Sequence, residues 1–417
     1  MVTTERAATC AGCGCGCDDI EVALVAGAFE RAAGTCAVGD AWFAELTADA
    51  PPVARVDGRE VDFADAVEAS AAILGEARLP LVCGLGQTDC ESQRAAVALA
   101  EAIGAVIDPA GPLEDGAVGA ASEAIGLSTA TFGELRDRAE LVVAWHADPV
   151  ASNPRLLPRL RLDRGERAAE RVLVVVDTQR TATAAEADEF IELPRELDFE
   201  ALWTMRALVR EVPLDRDLAA RLPLDALEQL AGSLRACTYG AVLHGPAGYG
   251  NALARLALVR DLARITHVVA LPLRPDGNAR GAEDVLAWQT GYPAAVSFAR
   301  GHPRARPGEF SASGLLERGE TDAALIVGFD ALRHLPPPAA DHLRRIPTIV
   351  VDPRATETAA AARVAFATAA AGVQREGTGH RMDGVPVTLR APLASERVGD
   401  RDVLAAIEAR LSAEEGT

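Results

Sequence analysis

Seven short, almost wholly apolar runs, each separated from the next by residues of helical character, constrain this chain more than any other feature. They are LPLVCGLG (79–86), LVVAWHADP (141–149), RVLVVVDT (171–178), AVLHGPAGYG (241–250), THVVALPL (266–273), AALIVGFD (323–330) and PTIVVDP (347–353). A strand covered by helices on both faces needs no polar alternation, so such runs with helical intervals predict a parallel α/β sheet. Between them, ESQRAAVALAEAIGA and NALARLALVRDLARITHVV space their apolar residues to bury one face of a helix.

Two of these segments repeat one another. VLVVVDTQRTATAAEAD (172–188) and PTIVVDPRATETAAAAR (347–363) each place a buried strand ahead of Asp, Thr and a small-residue helix, which predicts two related halves. Such strand ends and helix N-termini can offer backbone N–H groups to a phosphate; the alternative is that Asp177 and Asp352 only cap loops. At roughly 150 residues per domain, 417 residues suggest two or three domains. Residues 1–50 read as a compact unit: a cysteine cluster, DDIEVALVAG as a hairpin, then Cys36 leading into AWFAELTADA as a helix that ends at Pro51-Pro52. The boundaries expected are 1–50, two α/β domains at 51–200 and 201–370, and an extension at 371–417.

Forty-one Lys and Arg, all of them Arg, stand against 61 Asp and Glu, a net charge of −20. Such a surface repels phosphate backbones and anionic headgroups, so neither nucleic acid nor membrane is expected as a partner. There is no apolar run of membrane-spanning length, and MVTTERAATC lacks the apolar core of a signal peptide. A cytoplasmic location is expected.

Eight cysteines in a chain of this length are too few for a disulfide scaffold, yet four crowd between Cys10 and Cys17. Cys10, Cys13 and Cys17 stand as C-x2-C-x3-C, with Cys36 nineteen residues on. Three thiolates in one loop and a distant fourth suit a cubane iron–sulfur cluster, where each ligand meets a different iron. Gly12, Gly14 and Gly16 let the backbone turn tightly enough. Four sulfurs also suit zinc, and small buried side chains are the third reading; Cys15 is spare in each. Cys83, Cys90 and Cys237 are isolated and read as buried thiols. His146 and His244 follow strands but stand alone, so they read as core or rim residues. No GxSxG, HExxH or Walker loop is present. Residues 281–307, with Trp288, Tyr292 and Phe298, read as a long binding loop or an interface.

Several blocks resemble the B subunit of formylmethanofuran dehydrogenase. They are C-x2-C-x3-C-DDIEV, Cys36-Ala-Val-Gly, CESQRAAVALAEAIGAVID (90–108), GELRDRAELVVAWHADPVASNPR (133–155), VVDTQRTATAAEAD (175–188), GNARGAEDVLAWQTGYPAAVSFARGHPRARPGE (277–309), AALIVGFDA (323–331) and EGTGHRMDGVPVTLR (376–390). The resemblance implies an N-terminal iron–sulfur-type domain followed by two interleaved Rossmann-like parallel-sheet domains of the molybdopterin oxidoreductase type. It implies Cys10, Cys13, Cys17 and Cys36 as ligands of a 4Fe-4S cluster. It places Asp177 with Thr178, and Asp352 with Thr356, where the family holds molybdopterin or tungstopterin guanine dinucleotides.

One departure stands out. After AVID the active enzymes carry a segment similar to DNTASVCHGPS, whose Cys binds the metal; here Glu114 stands at the Cys position and Asp115 at the His position. A hard carboxylate replaces a soft thiolate, and the neighbouring proton relay goes too. These degenerate positions imply loss of the redox reaction and of the pterin metal, with no catalytic residue left on this chain. The expected function is a non-redox structural and assembly role, resembling that of the B subunit of the formyltransferase/hydrolase complex of C1-oxidising bacteria. Its partners would be a zinc amidohydrolase subunit, a formyltransferase subunit and a C subunit. The alternatives are an active molybdenum or tungsten dehydrogenase subunit with a carboxylate ligand, and an iron–sulfur electron-transfer subunit.

Overall fold

The computed structural model describes residues 3–47, 53–109, 115–160, 171–217, 219–274 and 276–415. Its first strands, β1 (Thr3–Cys10), β2 (Cys17–Val25) and β3 (Ala28–Ala33), form an antiparallel sheet. The β2–β3 turn holds Ala26 and Gly27 in left-handed backbone, φ 53° and 85°, so DDIEVALVAG supplies one strand and its turn rather than a whole hairpin. Helix Ala37–Thr47 then buries Trp42, Phe43 and Leu46.

The chain divides into two compact units, a split one of Met1–Gly116 with Asp276–Thr417 and an inserted one of Ala117–Pro275. Strands β4 (Ala54–Val56), β5 (Arg59–Glu60), β6 (Pro80–Gly84) and β7 (Val106–Asp108) begin the main sheet of the split unit. The inserted unit follows, with β8 (Leu141–Trp145), β9 (Val172–Asp177), β10 (Glu189–Glu192), β11 (Tyr239–His244) and β12 (His267–Pro272) in the order β10-β9-β8-β11-β12. All of its pairs are parallel. The chain then returns through β13 (Val296–Ser297), β14 (Arg304–Ala305), β15 (Ala323–Val327), β16 (Thr348–Val351) and β17 (Val364–Phe366). The completed sheet has the order β14-β13-β7-β6-β15-β16-β17-β4-β5. Its five central strands are parallel and its edges antiparallel. A last antiparallel pair, β18 (Gly377–His380) with β19 (Pro386–Leu389), belongs to the same unit.

The expected α/β architecture with parallel sheets is therefore present, but the units do not follow consecutive boundaries at 200 and 370. The reason is pairing: β6 lies beside β15, Leu81 opposite Ala324, so residues near 80 complete their sheet only with residues beyond 320. Strands β6, β8, β11, β15 and β16 are buried at every position, as parallel strands covered on both faces require. In the split unit Val82, Leu325 and Ile349 pack with Leu74, Val97, Val285 and Leu404 on one face. Leu81, Ile326 and Val350 pack with Leu315, Leu316 and Leu343 on the other. The inserted unit packs Trp145, Val176 and Val242 with Leu202, Met205, Leu230 and Leu258.

Two helical expectations need correction. Residues 281–307 are not one long loop: helix Ala279–Thr290 buries Ala282, Val285 and Leu286, an i, i+3, i+4 stripe, before β13 and β14. Helix Tyr249–Leu262 buries more than one face, including Arg255 and Asp261, because these two charges find carboxylate and guanidinium partners inside the unit.

The repeat seen in the sequence extends to the whole sheet core. The order β17-β16-β15-β6-β7 in the split unit matches β10-β9-β8-β11-β12 in the inserted one. A shared side-chain lock accompanies it. Asp148 Oδ1 accepts from Thr183 N–H at 3.0 Å and from its hydroxyl at 2.6 Å, and Asp330 Oδ1 accepts from Thr358 N–H and hydroxyl at the same distances.

Candidate functional site

The cysteine loop joins β1 to β2, with Cys10 opposite Cys17 in the ladder. Cys10, Cys13, Cys15 and Cys17 are buried, Cys36 is half-buried, and no disulfide joins any of the eight cysteines. Burial pushes the Cys10 thiol up to about 12; a bond from the Gly12 backbone opposes this, and Cys17, Cys13 and Cys36 push further in the same direction. The four thiols thus share one neighbourhood. Glycines make room for it: a Cβ on Gly39 would lie 3.1 Å from Cys10 Sγ, and one on Gly12 3.0 Å from Trp42 Cβ. A thiol held neutral by burial becomes a thiolate only against a metal's charge, so burial by itself names no ligand for these sulfurs. Among the described residues no group of three or more His, Cys, Asp or Glu is assembled around a single ion position.

Two distant stretches hold the loop. Met382 N–H donates to Gly14 O at 2.8 Å, and Thr9 donates its hydroxyl to Thr388 O at 2.7 Å. At Gly277 a Cβ would fall 1.9 Å from Ala11 O, so only glycine permits that approach. Gln87 bridges Trp42 Nε1, at 3.3 Å, and Asp276, at 2.9 Å. The segments 277–309 and 376–390 therefore contribute walls of the cysteine loop.

Asp352 and Thr356 lie just beyond the carboxyl end of β16. Buried Asp352 takes a bidentate pair from Arg354, 2.9 and 2.8 Å, and Thr356 caps helix Glu357–Ala361 by accepting from Ala359 N–H at 3.0 Å. With Arg55, Arg354 and Phe366 they line a cavity of about 170 Å³. Asp177 occupies the matching end of β9 and accepts from Thr178 N–H at 2.7 Å. The residue equivalent to Thr356, however, is Thr181, which caps helix Ala182–Ala185; Thr178 stands three residues earlier. Sequence spacing alone contained this, since Asp-x-x-x-Thr occurs in both repeats.

The inserted unit carries a polar cluster that sequence reasoning missed. Trp145 Nε1 and Arg255 both donate to Asp198, at 2.7 Å each. His146 lies between Asp177 (Nδ1, 3.4 Å) and Asp198 (Nε2, 3.5 Å). Burial above all lowers the His146 pKa, against the pull of Asp198 and with help from Arg255. His244 is driven to about 3 by burial and then by Arg255. Burial thus disfavours the charged form of both imidazoles. Burial raises the thiols of Cys83 to about 12 and of Cys90 and Cys237 to about 11, in keeping with inert cysteines. Glu114 lies outside the described residues, and Asp115 begins helix Asp115–Ile125.

The chain is 34% identical over 424 residues, 97% of its own length and 98% of the relative's, to the B subunit of tungsten-containing formylmethanofuran dehydrogenase 2 of Methanocaldococcus jannaschii. It belongs to the family of formylmethanofuran dehydrogenase B subunits. The Fhc B subunit of the formyltransferase/hydrolase complex of Methylorubrum extorquens is 31% identical over 287 residues, 65% of this chain and 73% of that one. No protein-family model matches. Among solved structures, a chain of the Methylorubrum extorquens formyltransferase/hydrolase complex (FhcABCD) with methylofuran superposes with a TM-score of 0.71 at 27% identity, covering 87% of this chain and all of that one. Acetylene hydratase from Pelobacter acetylenicus superposes at 0.67 with 12% identity, over 98% of this chain and 70% of that one, a likeness of fold alone. In this member of the family, then, the paired strand ends are carried on α/β units of one shared plan, and the cysteine loop on the antiparallel sheet of β1, β2 and β3. No helix among the described residues is long and apolar enough to cross a membrane.

Proposed function

We propose that this chain is the B subunit of a formylmethanofuran dehydrogenase-like formyltransferase/hydrolase complex, acting in tetrahydromethanopterin-linked conversion of formaldehyde to formate in the cytoplasm. The observation that carries it is the superposition on a whole chain of FhcABCD, together with near end-to-end alignment with a formylmethanofuran dehydrogenase B subunit. The partners are the other subunits of that complex, which would hold the catalytic residues: a zinc amidohydrolase, a formyltransferase and a C subunit.

Within it, Cys10, Cys13, Cys17 and Cys36 would hold a 4Fe-4S cluster, a group that supplies one-electron transfer when bound. The shared neighbourhood of the four thiols supports this. Asp352 and Thr356, beside their cavity, would face the guanine nucleotide of a pterin if one is retained. The redox reaction itself is absent in this reading, because Glu114 and Asp115 replace the soft ligand and the relay. The higher identity and fuller coverage of the tungsten-containing relative favour a second reading, an active dehydrogenase subunit with carboxylate ligation.

Metal content separates the two. The tagged chain, purified with its partners, is expected to carry iron without stoichiometric molybdenum or tungsten, and Glu114→Ala is expected to leave formyl transfer and hydrolysis unchanged. Viologen-coupled oxidation of formate or formylmethanofuran in the wild-type complex, lost with its metal on Glu114→Ala, overturns the non-redox reading.

A further inference from the structure

The matched sheets differ in kind at two positions. Trp145 pairs with Val176 in the inserted unit as Val327 pairs with Val351 in the split one. The following N–H groups cross to the same carbonyls, His146 to Val176 O at 2.8 Å and Gly328 to Val351 O at 2.9 Å. On the other flank, His244 pairs with Trp145 and Gly84 with Val327. The equivalence is therefore fixed by register: His146 stands where Gly328 stands, and His244 where Gly84 stands.

Both glycines have left-handed backbone, φ 61° and 97°, and His146 is held in that region too, at φ 45°, which residues other than glycine adopt uncommonly. These positions flank the points where strand order reverses, between β8 and β11 and between β15 and β6. Open α/β sheets receive ligands there, outside the carboxyl ends of the strands, and glycine is what lets the backbone approach a phosphate. In the inserted unit two buried histidines stand at those positions. His146 is 2% and His244 1% exposed, and among the described residues neither Nε2 has a hydrogen-bond partner. His146 also occupies Asp177, Nδ1 to Oδ1 3.4 Å.

We infer that His146 and His244 close the strand-end crevice of the inserted unit from within, so that no nucleotide phosphate binds there although the fold offers the position. Two fully buried histidines at the positions where the matched sheet carries glycine leave no room there for a ligand's phosphate. Asp177 and Thr178 are then internal partners of the seal. The chain keeps two copies of the nucleotide-type sheet and at most one usable crevice. This inference stands apart from the proposed function, since it concerns the inserted unit alone and reads neither subunit composition nor activity.

The test uses the full chain and 8-azido-GDP as a photo-label, with peptides carrying Trp145, Asp177 or Gly245 as the readout and unlabelled GDP as competitor. The wild type is expected to give no competable label in those peptides. The variant His146→Gly with His244→Gly is expected to raise label there by about tenfold or more. Should the pair of changes unfold the chain, His146→Gly alone, which puts glycine into left-handed backbone, carries the same test. Competable label at these peptides in the wild type, or a folded variant labelled no more than the wild type, overturns the inference.

Discussion

At the scale of single residues, Asp352 shows how a position suggestive of a ligand can be bound up in the fold. Its carboxylate is buried and fully engaged by the Arg354 guanidinium through two parallel bonds. Removing one partner of a buried pair strands the other charge, which costs about 3–5 kcal/mol. Asp352→Ala should therefore lower the unfolding free energy of the split unit, measured by urea denaturation, by that order. A loss below about 1 kcal/mol, the worth of an exposed pair, would mean that Arg354 finds solvent or another acceptor. Asp352 stands out in the sequence but Arg354 does not, since a charge two residues along is ordinary in a loop. Likewise Thr178 draws attention where the cap is Thr181, because only hydrogen bonding decides which of two nearby threonines faces the helix. His146 and His244 read in the sequence as core or rim residues, and they are buried; that they replace a pair of glycines is visible only once strand registers align the two sheets.

Secondary-structure elements are the most legible layer. Each of the seven apolar runs contains or meets a parallel strand, because a strand buried on both faces writes its burial into every residue. The region 281–307 is less legible: its Gly, Pro and Arg content reads as loop, yet Ala282, Val285 and Leu286 form a helical stripe within it. Domain limits are not legible at all, since a sheet completed by strands more than two hundred residues apart leaves no local signal. The element-scale consequence of the repeat is the Asp–Thr lock. Asp148 and Asp330 each receive an N–H and a hydroxyl from one threonine, at equal distances, and those threonines in turn accept from Val150 and Leu332 N–H. Asp148→Ala and Asp330→Ala should each cost about 1–3 kcal/mol, the penalty for unpaired buried donors, with matching local loss of exchange protection at Thr183 and Thr358. Marked inequality between the two would show that the locks, though alike in geometry, differ in what surrounds them.

For the whole molecule, the two units carry buried titratable groups of opposite sign of effect. In the inserted unit His244 is lowered from 6.5 to about 3, by burial first and then by Arg255, and His146 is lowered as well. Between those values the unfolded chain binds a proton that the native unit refuses, so acidification below about pH 6.5 weakens the inserted unit, by at most about 1.4 kcal/mol per pH unit for each such group. In the split unit Asp400 is raised from 3.8 to about 7 by burial, against the hydroxyls of Thr368 and Thr88 and with Asp89 and Asp352 adding to the rise. There the native state holds a proton that the unfolded chain has lost, so stability grows as pH falls from about 7 toward 3.8, with the same limiting slope. Hydrogen exchange at pH 7 and pH 5.5, corrected for the intrinsic rate, should show β8 and β11 losing protection while β6, β15 and the start of helix Asp400–Glu415 gain it. The gain should vanish for the split unit alone in Asp400→Asn, which can neither gain nor lose the proton and leaves only the ordinary surface carboxylates to respond. Parallel movement of both units in the wild type would show that one of these groups is solvated in solution, and the variant identifies which.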